Sequence, residues 1–106
     1  MPFVIVHSMR PVADHWSGAP DDLAALVSEC LNTPIGQVQV IVHAPIVAVY
    51  GASTYVEVKC RRKPDRTPER LAGAADRIKA LVADRLDPNT VVRLFAHEDA
   101  SIGASS

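Results

Sequence analysis

The chain has 106 residues, 48% of them hydrophobic and 22% charged, which suits one compact domain over 1–106 and rules out a disordered chain. Eleven Lys and Arg stand against twelve Asp and Glu, a formal charge of −1, so no global field favours nucleic acid or an acidic membrane and any anion has to be met locally. The longest apolar runs, 3–6 and 45–50, fall far short of the roughly 20 residues that cross a bilayer, and the basic-then-apolar pattern of a secretory signal is missing, so a cytoplasmic setting is expected.

Residues 3–7 alternate as a strand. A helical pattern follows through Val12, Trp16, Ala19, Leu23, Leu26, Val27, Cys30 and Leu31, interrupted by Gly18 and Pro20, so that the helix is either kinked there or opens near Ser17. After the stop signal Asn32-Thr33-Pro34, residues 37–44 alternate with Val38, Val40, Val42 and Ala44 on one side. A turn-rich connection over 45–53 leads to a third strand, 54–60, and then to the basic loop 61–66. Thr67-Pro68-Glu69 supplies a cap, a first-turn proline and an early acid for a second helix with Leu71, Ala74, Ala75, Ile78, Leu81 and Val82 on one face. Asp87-Pro88-Asn89 ends it, 90–97 is a last strand, and 99–106 is a small polar tail.

The order is βαββαβ, an α+β domain of two tandem βαβ units forming a four-stranded sheet with two helices on one face. In all four strands the even positions are small or aliphatic and belong under the helices. The odd positions mix Phe3, Ile5, Ile41, Tyr55 and Phe95 with His7, Gln39, His43, Glu57, Lys59, Arg93 and His97. Two helices cover one side of such a sheet, so this second face predicts self-association. Cys30 and Cys60 lack CxxC spacing and read as reduced core residues.

The opening Met1-Pro2-Phe3-Val4-Ile5-Val6 resembles the tautomerase superfamily, whose mature chains begin with a catalytic proline on the first strand. Ser28-Glu29-Cys30-Leu31-Asn32-Thr33-Pro34 running into the second strand resembles 4-oxalocrotonate tautomerase, while the double-length plan and the ending 98–104 look more like macrophage migration inhibitory factor. The resemblance implies a homotrimer whose odd sheet faces line a central barrel, and a keto-enol tautomerase acting on a small 2-keto acid or its enol. Loss of Met1 would free the secondary amine of Pro2, and an apolar pocket near cations disfavours its charged form, leaving a general base. With Met1 retained, that nitrogen is an amide and no base.

For substrate binding, Arg10 stands near the position of a substrate-binding arginine of 4-oxalocrotonate tautomerase, and Arg93 with Phe95 resembles the pocket-lining pair that migration inhibitory factor takes from a neighbouring subunit. Arg93 has a structural alternative in pairing with Glu57. Arg61 and Lys63 lie in a loop that looks like the arginine-bearing loop of malonate semialdehyde decarboxylase, and the alternative there is a solvated charge run. Gln39 replaces a second arginine and Gly36 stands near where decarboxylase-type members carry an acid, which weakens hydratase, dehalogenase and decarboxylase chemistry, and Asn32 or Thr33 replaces a lysine that migration inhibitory factor carries between helix and strand. His7, His15, His43 and His97 lack HxxxH or HxH spacing, so no metal is expected, and without GxGxxG, Walker or GxSxG motifs neither is a nucleotide cofactor. Two rival readings share the element order: a ferredoxin-like small-ligand module, with a central pair formed by the first and third strands, and a non-catalytic trimer of the tautomerase fold.

Overall fold

A computed structural model describes residues 2–9, 18–44, 51–98 and 103. Its elements run β1 (Phe3–Ser8), α1 (Ala19–Leu31), a 3-10 turn (Ile35–Gln37), β2 (Gln39–His43), β3 (Thr54–Arg61), α2 (Pro68–Arg85) and β4 (Thr90–His97). The sheet order is β2-β1-β3-β4. β1 pairs parallel with β2 and β3 parallel with β4, each through a helical crossover of the kind parallel neighbours require. β1 and β3 pair antiparallel at the centre. Adjacency of the first and third strands, the mark expected of the ferredoxin-like module, therefore occurs here without that fold. The outer neighbours decide the matter, because each βαβ unit keeps its two strands side by side, β2 next to β1 and β4 next to β3, whereas the ferredoxin-like plan splits them.

Local chemistry accounts for the ends of the elements. α1 opens at Ala19 with Pro20 in its first turn and Asp21 and Asp22 beside it, so the proline starts the helix rather than kinking it. The helical pattern expected over 10–17, with Arg10 and His15, lies outside the described residues, as do 45–50 and all of the tail except Gly103. Asn32 closes α1 in the left-handed conformation (φ 51°), and Ser28 Oγ donates to Thr33 O at 2.6 Å. β2 begins two residues later than its alternation predicts, because Gln37 and Val38 donate to Pro34 O and Ile35 O and close the 3-10 turn instead. α2 is capped as expected: Thr67 Oγ1 accepts from Arg70 N–H at 3.2 Å.

The even face packs under the helices. Val4, Val6, Val56 and Val58 meet Leu23, Val27, Ile78 and Val82, all fully buried, with Cys30 and Cys60 as free thiols in the same core. Each such side chain contributes about 1.5–3 kcal/mol of burial. The last turn of α1 carries no basic residue of its own, and Arg70 Nε and Arg66 Nη2 supply cations from the second unit to Cys30 O and Leu31 O. At the far end of the sheet the buried Asp87 carboxylate accepts from Thr54 Oγ1 (2.7 Å), from Ser53 Oγ and from Asn89 N–H (3.0 Å), tying the α2–β4 turn to β3.

Asp87→Ala leaves these donors without their acceptor and lowers stability by about 3 kcal/mol, read from the urea midpoint of unfolding. An unchanged midpoint would show that the turn is held without the carboxylate.

Candidate active site

Register gathers one set of residues at the head of β1. Phe3 pairs with Gln39 on one side and Lys59 on the other, Lys59 pairs with Phe95, and Arg61 with His97. Pro2 lies one residue before Phe3 and is fully buried, with its carbonyl accepting from Gln39 N–H at 3.1 Å. Extended by one step, the antiparallel register sets Pro2 opposite Cys60 on the helix side of the sheet. Gln39 and Phe95 belong to the other, open side, where Phe95 is 40% exposed and stacks on His97 with centroids 6.4 Å apart. Arg61 ends β3, and Lys63 is exposed in the following loop. Pro2, Gln39, Arg61 and Phe95 thus share one end of the sheet but divide between its faces.

Arg93 lies further along β4, opposite Glu57. In place of the Arg93–Glu57 pairing that stood as the structural alternative, Glu57 Oε2 is 3.7 Å from His7 Nε2 and Oε1 is 3.6 Å from Lys59 Nζ, while Arg93 Nη1 donates to Val92 O at 3.1 Å. Arg93 also borders a hollow of about 370 Å³ between α2 and the β4 edge, with Asp76 and Lys79. It stands on the edge strand of the sheet. A groove of about 480 Å³ between α1 and α2, lined by Leu26, Leu81, Asp22 and Arg85, belongs to the helix layer and includes none of the expected site residues.

Two features escape a reading of the sequence. Arg66, part of an apparently solvated charge run, is 1% exposed. Its Nη1 donates to Arg61 O at 2.7 Å, and its guanidinium lies against the Cys60 thiol. The legible signal was the lack of a basic residue in the last turn of α1. The second is a contact between His43 Nε2 and His7 Nδ1 at 2.7 Å. Each histidine is the fifth residue of its strand, and a parallel register sets equal positions side by side. Among the described residues no group of three or more His, Cys, Asp or Glu is arranged to hold a metal ion.

With the geometry in place, the chain has the tautomerase fold: a four-stranded mixed sheet of two βαβ units under two helices. It superposes on macrophage migration inhibitory factor from Trichinella spiralis with a TM-score of 0.78 at 13% identity, over 96% of this chain and 95% of that one. A migration inhibitory factor-like protein from Entamoeba histolytica matches with a TM-score of 0.73 at 14% identity (98% and 95% covered), and a member of the cis-3-chloroacrylic acid dehalogenase family with 0.76 at 18% (96% and 79%). By sequence, no protein-family model and no curated protein matches the chain.

Burial pushes the Cys60 thiol above its ordinary value of 9.0, with Arg66 acting in the opposite sense, and burial pushes Cys30 up in the same way. A raised folded-state value contributes stability that is complete below the unfolded value and is lost as pH rises through the folded one. Unfolding therefore takes less urea at about pH 10.5 than at about pH 8, and Cys30→Ala with Cys60→Ala narrows the difference. Equal pH dependence in both proteins would contradict the assignment.

Proposed function

We propose that the chain is a keto-enol tautomerase of a small 2-keto acid or its enol, working in the cytoplasm as a homotrimer with the Pro2 nitrogen as general base. The observation that carries this reading is a proline at position two, fully buried at the head of a central strand, in a fold shared with migration inhibitory factor and a dehalogenase-family protein. Removal of Met1 makes that nitrogen a secondary amine. Chain-end amines ordinarily titrate near about 8, and a site shielded from water disfavours the ammonium form, leaving a base at neutral pH.

In this mechanism Pro2 takes the proton from the carbon next to the carbonyl, and donors on the carbonyl oxygen stabilise the enolate as charge develops. Gln39 offers such a donor. Arg61 and Lys63 of the same chain hold the carboxylate, Arg10 joins them, and Arg93 and Phe95 reach in from a neighbouring copy, Phe95 excluding water. Gly36, exposed in the 3-10 turn, brings no acid to activate water, so proton transfer fits better than hydration or dehalogenation. The chain's own groups complete this reaction without a cofactor.

A trimer is supported by the face the helices leave open. Ile41 and Phe95 are each 40% exposed, and Phe3, Ile5 and Tyr55 are half-buried beside them. Their apolar area is covered when copies meet sheet to sheet.

The test is intact mass together with turnover of phenylpyruvate or 2-hydroxymuconate. The expected protein lacks Met1, Pro2→Ala lowers kcat/KM by at least ~100-fold, and Arg61→Ala or Lys63→Ala raises KM with a smaller change in kcat. Retained Met1, or full activity of Pro2→Ala, contradicts Pro2 as the base, and a natural chain without turnover leaves a non-catalytic trimer.

A further inference from the structure

The open sheet face carries a second polar assembly, at the end away from Pro2. His43 Nε2 meets His7 Nδ1 at 2.7 Å, with the rings edge to face, and His7 Nε2 points toward Glu57 Oε2 at 3.7 Å. Tyr55, the β3 partner of His7, stacks on its ring with centroids 5.9 Å apart. The carboxylate draws the His7 proton to Nε2, which leaves Nδ1 as an acceptor for the His43 Nε2–H. This neutral arrangement satisfies every short contact in the chain of three groups. A proton added to His43 leaves the contact intact but puts a cation on the face. A second, on His7 Nδ1, replaces the acceptor with a donor and sets two cations 2.7 Å apart.

The surroundings do not compensate. The charged groups on this face among the described residues are one carboxylate, Glu57, against Lys59 and Arg61 on β3 and Arg93 on β4. Tyr55 and, at the Phe95 end, His97 also lie on this face, and β1 and β2 bring only His7 and His43. Lys59 already occupies the other oxygen of Glu57. Each added proton therefore enlarges an excess of positive charge on a surface that, in the assembled protein, faces its own copies. Burying a charged imidazole there costs more than burying a neutral one.

We propose that the His43–His7–Glu57 chain makes self-association through the open sheet face proton-sensitive, so that copies join with both imidazoles neutral and part on acidification. The proposal rests on the reading of this face as the contact between copies. By linkage, a state that excludes the bound protons is lost as protons are supplied, and imidazole is the side chain that charges between about pH 8 and pH 5.

Sedimentation velocity at one protein concentration, at about pH 8 and about pH 5.5, tests it with the natural chain and with a variant carrying His7→Gln and His43→Gln. The expected result is an assembled natural chain at the higher pH whose association weakens by about tenfold or more at the lower, while the variant changes by less than about threefold. Far-ultraviolet circular dichroism checks that each protein is folded, and His43→Gln by itself serves if the double variant is not. Natural chain and variant dissociating together, or a natural chain assembled equally at both values, overturns the switch and leaves the interface standing. A natural chain that is monomeric at about pH 8 overturns both.

Discussion

The antiparallel pairing of β1 with β3 governs the rest of the molecule. It joins two βαβ units, neither able to bury its own sheet face fully, into one four-stranded sheet, and it puts both helices on the same side. Val4 and Val6 of one unit then lie beside Val58 and Val56 of the other, so the core belongs to both halves. The cations that cap the end of α1 likewise come from the second unit. The cost of this economy is a sheet face with no cover in the single chain, where partly exposed aromatics, imidazoles and charges stand together.

That uncovered face explains which parts of the fold were legible. Alternation with period two appears in the sequence because the two faces have different environments, and it identifies all four strands and assigns the even positions to the core. Thr67-Pro68-Glu69 announces the start of α2 by ordinary capping chemistry, whereas α1, read as kinked at Pro20 or opening near Ser17, opens at Ala19 without a side-chain cap. The start of β2 was misplaced because Gln37 has the right polarity for a strand while its backbone N–H is committed to the turn. Register is what one-dimensional patterning leaves out. His7 and His43 are 36 residues apart with no local spacing to link them, and they meet through parallel pairing.

For the proposed site the sequence offers residue types, and the fold adds where those residues lie. Pro2, Gln39, Arg61 and Phe95 do come to one end of the sheet, but Pro2 turns toward the helices while Gln39 and Phe95 face away, and Arg93 stands at the rim. Such a division makes sense if a second molecule completes the pocket across the strand ends. Arg66 was hidden for a different reason: a run of charges gives no hint of which member is drawn inward, and here the carbonyls of Arg61 and Leu31 decide it. Buried behind Cys60, it brings a fixed positive charge to the side of the sheet toward which Pro2 turns.

The chemistry proposed for the chain comes down to the state of one nitrogen. A direct observation of it is the 15N signal of Pro2 in protein labelled at proline, followed as the pH is raised. The account predicts a secondary-amine signal that loses its proton below about 8, the ordinary range of a chain-end amine. A signal that stays at an amide position and does not titrate would contradict it.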